Sequence, residues 1–129
     1  LEMVKLFLGV CPDIIHSRSA VNRHTALHRS CMHSDDTEVM EFLLASGAGV
    51  NAVDDYDQTP LFNATSWGCL ECAKVLLAAG ADVNHRGTDR STPLDMALLM
   101  ANIEIAELLK AKGGLTEAQL PDEDDSNDA

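Results

Sequence analysis

The amino-acid sequence predicts an all-α solenoid of stacked helix-turn-helix units joined by hairpin arms, and three observations predict it. The run Thr59-Pro60-Leu61-Phe62 recurs thirty-three residues later as Thr92-Pro93-Leu94-Asp95, and a related Thr25-Ala26-Leu27-His28 precedes it. Each unit then closes on glycine, most fully in Gly80-Ala81-Asp82-Val83-Asn84. Between opening and closing motifs, apolar residues return at helical spacing. Self-similarity at a period of roughly 20–50 residues marks an array in which each unit buries its apolar face only against its neighbours.

The elements follow in order. Leu1-Glu2-Met3-Val4-Lys5-Leu6-Phe7-Leu8 aligns with Leu70-Glu71-Cys72-Ala73-Lys74-Val75-Leu76-Leu77. Residues 1–21 therefore read as the second helix and arm of a partial unit, with Cys11-Pro12-Asp13-Ile14-Ile15 departing from the glycine pattern, and the chain reads as a piece of a longer array. Residues 22–55 form the next unit. Its span from Thr25 to Gly47 is one residue longer than that from Thr59 to Gly80, and the extra residue falls in His33-Ser34-Asp35-Asp36-Thr37. Asp35 with Glu38 offers a capping pair there.

Residues 56–88 give the clearest unit. Thr59 is placed to accept the orphan amide hydrogens of a first helix, and Pro60 takes the first helical position, where a missing N–H costs nothing. Gly68 breaks that helix. Leu70, Ala73, Leu76 and Leu77 then make one broad apolar stripe on a second helix, which Gly80 ends.

Residues 89–120 repeat the plan, with Leu94 and Ala97 on the first helix and Ile103, Ile105, Ala106, Leu108 and Leu109 on the second. Lys110 stands where Leu8, Leu44 and Leu77 stand in the other units. A polar residue at that place suits a capping repeat, and Gly113-Gly114-Leu115-Thr116 lacks the Asp-Val-Asn arm. Residues 121–129, with Asp122, Glu123, Asp124, Asp125 and Asp128, read as an acidic disordered tail.

Composition narrows the function. The formal net charge is −12, which argues against general nucleic-acid binding, where affinity comes mostly from neutralising phosphates. Charge is nonetheless uneven: Arg18, Arg23 and Arg29 lie in a stretch without acidic residues, while Asp54, Asp55 and Asp57 cluster in the next arm. No apolar run approaches the ~20 residues of a membrane span, and no signal peptide is visible. The four cysteines, Cys11, Cys31, Cys69 and Cys72, read as small packing residues in a reducing compartment, even though Cys69 and Cys72 form a C-x-x-C. His24, His28 and His33 around Cys31 likewise read as structural rather than metal-binding. No nucleophile elbow and no phosphate-binding glycine loop is present, so no catalytic residue, cofactor or metal is assigned.

The Thr-Pro-Leu and Gly-Ala-Asp motifs at this period resemble the ankyrin-repeat family. That resemblance implies a protein or peptide partner held on the concave face by arm tips and by the exposed side of each first helix. Carried onto this sequence, the contact positions are Asn22, Arg23, His24, Met32 and His33; then Asp55, Tyr56, Gln58, Ser66 and Trp67; then Asp89, Arg90, Ser91, Leu99 and Met100. Trp67 is the single tryptophan and Tyr56 the single tyrosine, and aromatic and arginine side chains dominate binding energy at interfaces. Trp67, Tyr56, Met32 and Met100 are expected as an apolar centre, with Arg23, Arg90 and Asp54, Asp55 and Asp57 as a polar rim.

The resemblance implies more. The His of Thr-x-x-His bonds backbone of the neighbouring turn, which accounts for His28. Phe62 and Asp95 replace that His, so their turns are expected to lack its bridge, and Gly49 in place of an Asp is expected to loosen its arm. Asn84 resembles a position hydroxylated by asparaginyl hydroxylases, and Asn51 does so more weakly, although the simpler expectation is that both bond the arm backbone. The alternative to a stand-alone binding module is a regulatory or substrate-recruiting segment of a larger enzyme or channel. A cytoplasmic or nuclear monomer, not itself an enzyme, is expected.

Overall fold

A computed structural model describes residues 23–31 and 37–120. Six helices occur among them: α1 Ala26–Ser30, α2 Glu38–Ala45, α3 Pro60–Trp67, α4 Leu70–Ala78, α5 Pro93–Leu99 and α6 Ile103–Ala111. No strand occurs among the described residues. They pair as α1 with α2, α3 with α4 and α5 with α6, while first helices stack on first helices and second on second. The result is the expected all-α array. The partial unit at 1–21, the capping pair at Asp35 and the acidic tail at 121–129 lie outside the described residues.

The core is a thin layer between units. Leu27, Met40, Leu43, Leu61, Leu76, Leu94, Ile105 and Leu109 are fully buried, with Ala64, Ala73, Ala97 and Cys72 between them. Alanine and cysteine let the helices approach closely, and each large aliphatic side chain adds roughly 1.5–3 kcal/mol by leaving water. Leu70 and Leu77 pack partly buried against this layer. Ile103, expected on the apolar stripe of its helix, is instead 73% exposed. Lys110, at the position of Leu77, is exposed.

The three opening turns share a backbone but differ in chemistry. Thr25 and Thr92 each accept a hydrogen bond from the amide three residues on, and His28 and Asp95 reach back to the amides of Thr25 and Thr92, completing capping boxes. Thr59 does neither: no side-chain bond caps α3, and its buried Oγ1 has no partner. The expected cap at Thr59 is therefore absent. The reason lies three residues on, where Phe62 offers no polar atom to hold the hydroxyl in place.

Gly68 adopts the left-handed conformation (φ 73°), which favours glycine, and a Cβ there would crowd Asn102 Nδ2 at 3.2 Å. The equivalent turn before α6 uses Ala101 at φ 56°, a conformation that costs a residue with a Cβ ~1–2 kcal/mol.

Cys69 and Cys72 are joined as a disulfide, which corrects the expectation that all the cysteines are unpaired packing residues. Cys69 caps α4, its Sγ accepting from the Cys72 amide. One helical turn thus brings the two Cα atoms to 5.3 Å, within disulfide reach. Both remain buried. Cys31 is a free thiol, donating to the Leu27 carbonyl at 3.3 Å. Burial pushes its pKa up to about 12. Cys11 lies outside the described residues.

Candidate interaction surface

The arms are fixed before they can present anything. Asp54 Oδ1 accepts from the amides of Tyr56 and Gln58 at 2.9 and 3.0 Å, so one carboxylate folds the tip of its arm. At the next arm Asp89 Oδ1 accepts from the Ser91 amide at 3.0 Å. Each tip turns through one left-handed residue, Arg23, Asp57 or Arg90, with φ between 57° and 69°. Successive arms touch where the Thr88 amide donates to the Tyr56 carbonyl at 2.9 Å. Gly87 is needed there, because a Cβ would stand 3.1 Å from that carbonyl oxygen.

Side chains also tie one unit to the next. His28 Nδ1 accepts from the Thr25 amide at 3.2 Å, so Nε2 carries the proton and donates to the Gln58 carbonyl at 2.9 Å. This is the bridge expected of His28. Asp95 supplies a counterpart: its Oδ2 accepts from the Glu117 amide at 2.8 Å. The expectation that the Asp95 turn lacks a bridge is thus corrected, since a carboxylate accepts where an imidazole donates. For Phe62 the loss holds.

Asn51 and Asn84 perform one task in successive units. Asn51 Oδ1 accepts from the Asp82 amide at 2.8 Å. Asn84 Oδ1 accepts from the Leu115 amide at 2.8 Å, while its Nδ2 donates to the Gly113 carbonyl at 3.2 Å. Both ends of the Asn84 amide are engaged with backbone, as the simpler expectation has it.

On this frame the expected contact residues separate. Tyr56, Trp67, Leu99 and Met100 are exposed by 60%, 59%, 77% and 54%. Trp67 and Met100 stand thirty-three positions apart, at the C-terminal ends of neighbouring first helices. Arg23 and Asp55 are exposed and 3.9 Å apart. Arg90 Nε donates to Glu117 Oε1 at 2.9 Å. Asp89 is exposed, and Gln58, Ser66 and Ser91 are half-buried.

His24 is corrected: it is buried, 3.0 Å from Asp54 Oδ2, and its ring stacks on His28 at 5.1 Å. Asp54 is buried with it, which removes it from the expected rim. The pair spans thirty residues, so neither side chain signals its partner within its own unit. Asn22, Met32 and His33 lie outside the described residues.

Three contributors, Asp95, Glu117 and Ala118, are absent from the expected contact residues. Glu117 and Ala118 help line an open cleft of about 530 Å³ together with Asp89, Arg90, Ser91, Asp95 and Leu99. The only signal for Asp95 was its i,i+4 spacing from Leu99, which places both on one face of α5. Glu117 follows the last unit's closing glycines and carried no repeat signal.

Stacked helical hairpins with an exposed aromatic and aliphatic face define a repeat-type interaction scaffold. The chain belongs to the ankyrin-repeat family: the family model for ankyrin repeats in three copies matches residues 1–87, and that for ankyrin repeats in many copies matches residues 66–109. No curated protein matches the chain. Ankyrin repeats are generally non-catalytic modules of protein–protein interaction.

Proposed function

We propose that this chain is a binding module that engages a protein or peptide partner on its concave face, the face shared by the arms and the first helices. One observation carries the reading. Tyr56, Trp67, Leu99 and Met100, all large and apolar, are each more than half exposed, and they occupy the positions through which this family makes contact. Arg23, Asp55, Asp89 and Arg90 surround them as a polar rim. Exposure of one such residue is ordinary; several at family contact positions favour a docking surface.

The test is affinity capture with three versions of the chain, read by mass spectrometry. A Tyr56→Ala, Trp67→Ala double variant should lose partners that the wild type retains. Lys74→Ala, exposed on α4 beside Glu71, should retain them. Equal retention by the double variant would move the binding site off this face.

A further inference from the structure

We infer that the segment this face receives is an extended basic–apolar peptide, in which Lys or Arg lies beside a large apolar side chain; the inference rests on the concave-face reading above. The cleft beside α5 sets the charge. Of its carboxylates, Glu117 is committed to Arg90 at 2.9 Å. Asp89 and Asp95 form no ion pair among the described residues. Their bonded oxygens, Asp89 Oδ1 and Asp95 Oδ2, accept from backbone amides, and among the described residues Asp89 Oδ2 and Asp95 Oδ1 have no hydrogen-bond partner. A cationic side chain entering the cleft meets two carboxylates with no guanidinium of their own.

The neighbouring arm reinforces that sign. Asp55 is only loosely matched by Arg23 at 3.9 Å, and Asp57 by the ring of His85 at 3.5 Å. Leaving out the buried Asp54, the acidic groups of the arm tips, α5 and Glu117 are Asp55, Asp57, Asp89, Asp95 and Glu117. The guanidinium groups are Arg23, Arg86 and Arg90, and with five against three the face carries the same sign as the whole chain at −12. Field and local contact therefore favour one class of partner.

The apolar half of the requirement stands on the same helix. Leu99, 77% exposed, lines the cleft one turn from Asp95, and Met100 and Trp67 follow along the neighbouring helix ends. The alkyl stem of a Lys or Arg lies along Leu99 while its head reaches the carboxylates. The next apolar side chain then has Met100 and the indole of Trp67 to cover. The exposed ring of Tyr56 is of the kind that attracts a cation. An acidic or phosphorylated segment would be repelled at Asp89 and Asp95.

The experiment is selection of a random twelve-residue peptide library on the immobilised chain, followed by fluorescence anisotropy of the enriched peptides. Enriched sequences should carry Lys or Arg within a few residues of Leu, Met, Phe or Trp. Asp89→Asn, which keeps the acceptor for the Ser91 amide, should weaken them about threefold, and Asp89→Lys about tenfold. Trp67→Ala should weaken them about thirtyfold. Enriched peptides without basic residues that still depend on Trp67 would overturn this inference and leave the concave-face reading standing. Peptides that bind wild type and Trp67→Ala equally would remove the face itself, and a library that yields no binder would refute both.

Discussion

Replacing threonine by valine at the three opening turns should give three different answers at positions that look alike in sequence. Thr92 Oγ1 accepts from the Asp95 amide at 3.2 Å and donates to the Leu115 carbonyl at 2.7 Å. Its removal forfeits a helix cap worth ~1 kcal/mol and strands a carbonyl at a further ~1–2 kcal/mol. Thr92→Val should therefore cost about 2–3 kcal/mol. Thr25 accepts from the His28 amide at 3.3 Å and its hydroxyl lies 2.9 Å from His28 Nδ1, so Thr25→Val should cost about 2 kcal/mol by the same terms. Thr59 is 1% exposed, caps nothing, and its hydroxyl has no partner. Valine keeps its shape and its β-branch, so Thr59→Val should be neutral or stabilise by up to ~1 kcal/mol. The assay is urea unfolding, with stability changes read from the midpoint only where the slope is unchanged. A Thr59→Val cost equal to the other two would show that its hydroxyl does cap α3, and would refute the reasoning from Phe62.

Other outcomes follow from the same geometry. Ala101→Gly should stabilise the chain by about 1 kcal/mol in urea unfolding by relieving a left-handed alanine, whereas Gly68→Ala should destabilise it by at least as much. Asn84→Ala removes two bonds to the 113–115 backbone and should cost about 1–2 kcal/mol, with hydrogen exchange of the Leu115 amide accelerated. Cys31 should resist thiol reagents in the folded chain, because burial raises its pKa from 9.0 to about 12. A raised folded-state value means that the unfolded chain releases the proton first. This contribution to stability is complete below pH 9 and declines as pH rises towards 12. Relative to Cys31→Ala, the wild type should lose about 2 kcal/mol by about pH 10.5, and a constant difference between the two across that range would refute it.

The fold was legible because its determinants recur within one unit. Thr-Pro-Leu places a helix start, Gly68 and Gly80 place two helix ends, and Leu70, Ala73, Leu76 and Leu77 return at helical spacing. Within a unit, the sequence that sets an element also contains its partners. Features that join two units were harder to read. His24 belongs to a contact position by register, yet Asp54, thirty residues away, draws it into the interior. Asp95 departs from the family histidine, yet it bridges because Glu117 brings an amide rather than a carbonyl to meet it. Ala101 hides a left-handed turn, since its composition gives no hint of one. Of the candidate surface, Tyr56, Trp67, Leu99 and Met100 were visible by position, and the cleft was not, because Glu117 lies beyond the last recognisable motif.

The same distinction bears on what the surface does. Carboxylates that serve the fold and those inferred to serve a ligand are all aspartates of an arm or of the helix start that follows it, and only their partners separate them. Asp54 spends both oxygens within the molecule, one on the amides of Tyr56 and Gln58 and one on His24. It is buried, so it adds little to recognition. Asp89 and Asp95 line the cleft and each commits one oxygen to the chain, and such half-used groups hold their geometry without being neutralised by it. A site built this way is rigid before its ligand arrives, which lowers the ordering cost of binding. On the inference above, the specificity of this array depends on which carboxylates of its arms and first helices have an oxygen to spare, and in the third unit Asp89 and Asp95 line the same cleft as Leu99.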